Sequence, residues 1–122
     1  MKKSCDVKVA IDERGSLIAL DKLKPFELKR LYLIEPTVGQ WRGKHYHKLC
    51  NQLICVLSGQ LNCRLIKNNE SLEFSLSAGE TFLQKPYQAF TFVSSVENTK
   101  MLVLCSEEFD ASDYYEVVDE QD

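Results

Sequence analysis

The chain contains 122 residues, of which 44% are apolar and 27% are charged. This length suffices for one continuous core and is too short for two ordinary domains, while the composition excludes an intrinsically disordered chain. The formal net charge of −3 comes without a basic stripe, so the sequence offers no electrostatic reason to bind nucleic acid.

The sequence carries no pattern typical of export or membrane insertion. No apolar run approaches the roughly 18 residues that a membrane helix requires, and Met1 to Asp6 lack the apolar stretch of a signal peptide. We therefore expect a cytoplasmic protein that forms a single domain over residues 1–122. Its core is predicted at about residues 7–115, followed by a short acidic tail at about 116–122.

Short runs rich in β-branched and aromatic residues recur along the chain, separated by turn residues, and helical periodicity is hard to find. The predicted class is all-β, either a closed barrel or a sandwich of two sheets. One helical turn is expected at Asp110 to Tyr114, capped by Asp110. The predicted strands are, in chain order, Val7 to Ile11, Leu17 to Leu20, Leu28 to Glu35, Arg42 to His47, Gln52 to Leu57, Leu61 to Ile66, Leu72 to Leu76, Thr81 to Leu83, Ala89 to Val93 and Met101 to Cys105.

The cysteines are odd in number and form no C-x-x-C pair, and most of them fall in apolar, strand-like surroundings. This pattern favours reduced core thiols in a cytosolic protein over disulfides or a zinc site. The five are Cys5, Cys50, Cys55, Cys63 and Cys105.

His45 and His47 are the only two histidines, and they lie in one predicted strand. At this spacing both side chains leave the same face of a sheet, where they could act together in acid-base chemistry. The alternative interpretation is a pair of solvated histidines on a strand surface.

The surroundings of the pair fit the first motif of the cupin family, a β-barrel or jelly roll. Gly39, the two histidines, Gln52 and Gly59 have the motif's spacing, with Gln52 where metal-binding members carry a glutamate. The stretch that matches the second motif, residues 79–91, contains no histidine. Two imidazoles and one amide are a poor donor set for iron, manganese or zinc, so we expect no metal and no other cofactor.

Five blocks carry a narrower resemblance, of which R-G-x-H-x-H-K is the most specific. Over these blocks, from about Asp12 to Tyr115, the chain resembles the WxcM-like sugar 3,4-ketoisomerases. The blocks are Asp12 to Leu17, Pro25 to Tyr32, Arg42 to Lys48, Gln52 to Gly59 and Phe109 to Tyr114.

The resemblance implies a homodimeric, metal-independent enzyme of deoxyamino-sugar biosynthesis. Its substrate would be dTDP-4-keto-6-deoxyglucose, whose ketone moves from C4 to C3 through an enediol. His47 would be the base and proton shuttle, and His45 would assist it. Histidine suits this task because its pKa lies near neutral pH.

The same resemblance suggests residues that bind the nucleotide sugar. Arg14 matches a position that contacts the sugar, and Arg30 is a candidate for the diphosphate. Other predicted contacts are Tyr32, Arg42, Gln52 and Gln88.

Two positions depart from the family pattern. Tyr46 replaces a common alanine between the histidines, on the opposite face of the strand. Gln88 stands where members usually offer histidine or arginine, and an amide can donate a hydrogen bond but cannot act as an acid or base. Two alternatives therefore stay open: a non-catalytic nucleotide-sugar-binding cupin, and an enzyme resembling the sugar 3,5-epimerases.

Overall fold

The computed structural model describes residues 5–23 and 26–117. These residues form strands and one 3₁₀ turn at Ala111–Asp113, and no helix among them is long and apolar enough to cross a membrane. The last five residues of the predicted acidic tail lie outside the described residues. The strands are β1 (Asp6–Asp12), β2 (Gly15–Asp21), β3 (Arg30–Ile34), β4 (Arg42–Tyr46), β5 (Gln52–Ser58), β6 (Gln60–Lys67), β7 (Glu70–Ser77), β8 (Thr81–Gln84), β9 (Ala89–Val93), β10 (Lys100–Cys105) and β11 (Tyr115–Glu116).

Two antiparallel sheets face each other. One has the order β3-β10-β5-β8 and the other β11-β4-β9-β6-β7, while β1 and β2 form a separate hairpin. Hydrogen bonding between strands does not join the two large sheets among the described residues, so the barrel is open at its seams. The all-β prediction is confirmed, and each predicted strand overlaps an observed one.

The space between the sheets is filled by apolar side chains from both. Ile54 and Val56 of β5 meet Phe90 and Phe92 of β9 in one cluster. Leu53 points the other way, into a smaller cluster with Cys5 and Leu104. The continuous burial of β5 follows from this arrangement, because a strand covered on both faces needs apolar side chains at every position.

A β-bulge interrupts β4 just before the two histidines. The register with β9 shifts between Gly43 and His45, and both Gly43 and Lys44 have positive φ angles of 101° and 68°. A Cβ atom at Gly43 would overlap the carbonyl oxygen of Phe90, so only glycine fits there. Bulges of this kind re-aim the side chains that follow, here His45 and His47.

The C-terminal segment returns to β4 after the predicted turn. Asp110 caps the turn, since its side chain accepts a hydrogen bond of 2.9 Å from the amide of Ser112. Strand β11 then pairs with β4, with Tyr115 opposite Tyr46. This pairing brings Tyr114, the residue between the turn and β11, against His47.

Candidate active site

A cavity of about 580 Å³ opens between the two large sheets. Its inner wall is apolar and includes Ile54, Phe90, Phe92 and Val103. Polar side chains from both sheets and from the C-terminal segment surround the rest of the space. These are Arg30, Tyr32, Arg42, His45, His47, Gln52, Gln84 and Tyr114.

His47 is the buried member of the histidine pair, at 5% exposure. Its Nδ1 lies 2.9 Å from the carbonyl oxygen of Asp113 and therefore carries the proton, which it donates to that oxygen. The lone pair then belongs to Nε2. Burial lowers the pKa of His47 below its ordinary value, against the opposing effects of the Asp113 carbonyl and carboxylate. A neutral imidazole with one nitrogen fixed is suited to act as a general base.

Asp113 ties the histidine to the loop after β4. Its buried carboxylate accepts hydrogen bonds from the amides of Lys48 (2.9 Å), Leu49 (3.3 Å) and Cys50 (3.3 Å). One carboxylate oxygen also lies 3.8 Å from Nδ1 of His47. The sequence predicted only that Asp113 belongs to a helical turn, because nothing local reveals a contact across 66 positions of the chain.

His45 lies nearer the solvent than its neighbour, although it lines the same cavity. Its ring meets the ring of Tyr114 edge to face, with centroids 5.8 Å apart. The structure thus brings both predicted histidines to one cavity, with different exposure.

Tyr32 and Gln52 form a hydrogen-bonded pair in the cavity wall. The Gln52 amide donates to the Tyr32 hydroxyl at 3.2 Å. Burial raises the pKa of Tyr32 above its ordinary value, so the phenol stays protonated at neutral pH. Tyr32 can therefore donate a hydrogen bond to a bound molecule.

Arg30 and Tyr114 form a second pair across the seam between β3 and the C-terminal segment. Arg30 donates to the Tyr114 hydroxyl at 3.3 Å. The guanidinium also lies 4.5 Å from the ring centre of Tyr32 and 5.1 Å from that of Phe109. Sequence reasoning missed Tyr114 as a site residue, since its place in the cavity depends on how the C-terminal segment docks.

Two predicted binding residues lie away from the cavity. Arg14 is in the β1–β2 hairpin, where its exposed side chain pairs with Asp12 at 2.6 Å. The amide oxygen of Gln88 accepts from the backbone of Lys85 at 3.0 Å and closes its own turn. The cavity residue from this region is Gln84, which donates to the Gln88 carbonyl at 2.8 Å. Arg42 does line the cavity and is exposed.

The described part of the chain contains no cluster of three or more His, Cys, Asp or Glu side chains that could hold a metal ion. What the cavity offers is one buried neutral imidazole, a second imidazole, two phenols and two guanidinium groups. These groups can move protons and stabilise negative charge on oxygen.

Comparison with known proteins relates this chain to sugar 3,4-ketoisomerases. The FdtA family, described as WxcM-like, C-terminal, matches residues 2–121. TDP-4-oxo-6-deoxy-alpha-D-glucose-3,4-oxoisomerase from Aneurinibacillus thermoaerophilus is 34% identical over 118 residues, which are 92% of this chain and 84% of the relative.

Solved structures of two ketoisomerases are also similar. The WlaRB TDP-quinovose 3,4-ketoisomerase from Campylobacter jejuni has 30% identity and a TM-score of 0.74, covering 95% of each chain. A histidine-to-asparagine variant of QdtA, a 3,4-ketoisomerase from Thermoanaerobacterium thermosaccharolyticum in complex with TDP-4-keto-6-deoxyglucose, has 28% identity and a TM-score of 0.78. It covers 91% of this chain and 83% of its own. The resemblance inferred from the five blocks is confirmed: the chain belongs to the WxcM-like family of sugar 3,4-ketoisomerases, enzymes of the cupin-type fold.

Proposed function

We propose that this protein converts dTDP-4-keto-6-deoxyglucose into its 3-keto isomer. The observation that carries the proposal is the buried, neutral His47, held through Nδ1 at the wall of a cavity of about 580 Å³. Relatives of the same family are named for this reaction, and one was solved with this nucleotide sugar. The product would supply a biosynthetic step that places an amino group at C3.

The proposed mechanism uses His47 as the base. Its Nε2 takes the proton from C3, which is acidic because it is next to the C4 ketone, and an enediolate forms. The same imidazole then returns a proton to C4 as the ketone forms at C3. His45 assists by donating to a sugar oxygen. A neutral histidine with a pKa below its ordinary value can accept the first proton at physiological pH.

Charged and polar groups around the histidines would hold the rest of the substrate. Arg30 and Arg42 at the cavity wall are suited to the diphosphate, since guanidinium groups bind phosphate oxygens in a fixed fork geometry. Tyr32, backed by Gln52, would donate to a sugar oxygen. Gln88 is also proposed to contact the substrate. This contact requires the turn that its side chain closes to change conformation.

We also propose that the enzyme is a cytoplasmic homodimer. The β1–β2 hairpin exposes the apolar side chains of Val9, Ile11 and Leu17, at 50%, 78% and 60%. Arg14, at the tip of the same hairpin, lies away from the cavity of its own chain. A hairpin buried against a second copy would cover the apolar side chains and bring Arg14 toward the partner's cavity. Five buried free thiols suit a reducing compartment.

The test is carbon and proton NMR of the purified protein with dTDP-4-keto-6-deoxyglucose in deuterated buffer. A new C3 ketone signal, with loss of the C4 ketone, is the expected result and reveals the configuration at C4. Exchange at C5 without a new ketone would instead indicate an epimerase. An unchanged spectrum with saturation transfer to the sugar would indicate a binding protein and overturn the proposal.

A further inference from the structure

Tyr114 is placed between the two histidines and an arginine. Its ring centroid lies 4.5 Å from that of His47 and 5.8 Å from that of His45, with both pairs edge to face. Its hydroxyl accepts the hydrogen bond from Arg30. Tyr114 is thus a cavity residue whose ring packs beside the candidate base and whose oxygen lies beside a positive charge.

The direction of the Arg30 hydrogen bond leaves the Tyr114 proton available. A guanidinium group has only donors, so the Tyr114 oxygen must be the acceptor in this contact. Among the described residues, the Tyr114 hydroxyl donates to no protein acceptor. A phenol proton at a polar cavity, without a protein oxygen to receive it, is available to an oxygen of a bound molecule.

The isomerisation requires proton transfer at oxygen as well as at carbon. When the proton leaves C3, its electron pair forms the C3–C4 double bond and the carbonyl pair moves to O4, which gains negative charge. O4 must then be protonated and O3 must lose its proton as the new ketone forms. His47 accounts for the carbon-bound protons. The hydrogen bond proposed from His45 to a sugar oxygen does not remove the proton of O3, so a further acid-base group is needed at the two oxygens.

We propose that Tyr114 is this second catalytic residue, donating its phenol proton to O4 and recovering a proton from O3. The inference rests on the proposed ketoisomerase function. O3 and O4 are neighbours on an enediol, so one phenol oxygen can serve both, and Arg30 stabilises the transient phenolate. Every proton is accounted for: one moves from C3 to C4 through His47, and one moves from O3 to O4 through Tyr114, whose phenol is regenerated.

Tyr32 is the other phenol in the cavity, and it fits the role less well. Its hydroxyl accepts from the neutral amide of Gln52, and Arg30 lies over its ring, whereas the same guanidinium donates directly to the Tyr114 oxygen. Burial raises the pKa of Tyr32, which opposes release of its proton. Tyr32 therefore serves as a fixed donor, whereas Tyr114 has a cation hydrogen-bonded to the oxygen that would carry the negative charge.

The experiment compares Tyr114→Phe with Tyr115→Phe and the wild type. Tyr115 is the matched control, because it stacks on Tyr46 with centroids 5.2 Å apart and does not line the cavity. We expect Tyr114→Phe to lower kcat by about 10²–10³-fold, the usual effect of losing a donor to a developing oxyanion. KM, the Kd for TDP and the unfolding midpoint should stay close to those of wild type, and Tyr115→Phe should retain full activity.

The kinetic outcomes separate the role of Tyr114 from the proposed function. A kcat of Tyr114→Phe within threefold of wild type, in a wild type that makes the 3-keto sugar, overturns the role of Tyr114 alone. A kcat loss matched by an equal loss of TDP affinity indicates a structural role and also overturns it. A wild type without turnover refutes the proposed function itself. If Tyr114→Phe does not fold, Arg30→Gln keeps the phenol but removes its cation, and an unchanged kcat in that variant contradicts the proposal.

Discussion

The protonation state of His47 results from two opposing influences. Burial disfavours the charged imidazolium and lowers its pKa, while the carbonyl and carboxylate of Asp113 favour the charged form. Burial has the larger effect. The neutral form of the base therefore persists to lower pH than it does in an ordinary histidine.

This balance predicts the pH dependence of activity. Protonation of His47 removes the base, so kcat/KM should fall on the acid side, and the midpoint should lie below the value of about 6.5 of an exposed histidine. Measurement of kcat/KM between about pH 5 and 8 checks this. If the fall of kcat/KM on the acid side (the acid limb) were centred above about pH 6.5, burial would not lower the pKa of the base.

Asp113→Asn should change both stability and the pH profile. The Asp113 carboxylate accepts hydrogen bonds from backbone N–H groups, and the amide nitrogen of asparagine cannot accept them. We therefore expect the free energy of unfolding to fall by about 1–3 kcal/mol. Loss of the negative charge also lowers the pKa of His47 further, which moves the acid limb to lower pH.

Urea denaturation and kcat/KM profiles of this variant provide the check. Asp110→Asn is the control, since Asp110 is exposed, caps the same turn and does not contact His47. An acid limb that stays in place in Asp113→Asn would show that Asp113 has no electrostatic effect on the base.

At the scale of the element, the bulge in β4 aims the histidines. Gly43→Ala should destabilise the protein more than Gly39→Ala. Both positions have positive φ angles, 101° and 81°, so both variants carry backbone strain. Only Gly43 faces the carbonyl oxygen of Phe90, whereas a Cβ at Gly39 meets nothing within 4 Å.

Thermal unfolding of the two alanine variants isolates the cost of that close contact. We expect Gly43→Ala to be the less stable variant by about 1–3 kcal/mol and to lose activity, because overpacking shifts the backbone that carries His45. Equal stability of the two variants would show that the bulge accommodates a side chain.

The strands were predictable because their signal is local. Alternation such as Phe74-Ser75-Leu76, and the continuous apolar run of β5, follow directly from which faces of a sheet are buried. The H-x-H spacing likewise predicted that both histidines lie at one cavity.

Asp113 and Tyr114 were not predictable as site residues, because they reach His47 through docking of a distant segment. The side chain of Gln88 accepts a hydrogen bond from the backbone of its own turn instead of facing the cavity. Sequence spacing does not reveal such a local hydrogen bond.

At the scale of the whole molecule, the exposed apolar side chains of the hairpin predict its oligomeric state. Light scattering should give a mass of about twice the 14.0 kDa chain at micromolar concentration. Ile11→Glu should shift the protein toward the monomer. Leu72→Glu, which changes a similarly exposed apolar residue on β7, should leave the mass unchanged. A wild-type monomer would refute the homodimer.

Deuterium tracing in heavy water tests whether His47 carries a proton between C3 and C4. Dilute enzyme is incubated with dTDP-4-keto-6-deoxyglucose, and the sugar is examined by NMR for deuterium at C3, C4 and C5. For the wild type we expect a 3-keto product whose C4 carries protium transferred from C3, with deuterium only to the extent that the His47 imidazolium exchanges with solvent before the transfer. His47→Asn should form no product and should still bind TDP. Product formation by His47→Asn at the wild-type rate would refute the role of His47 as the base.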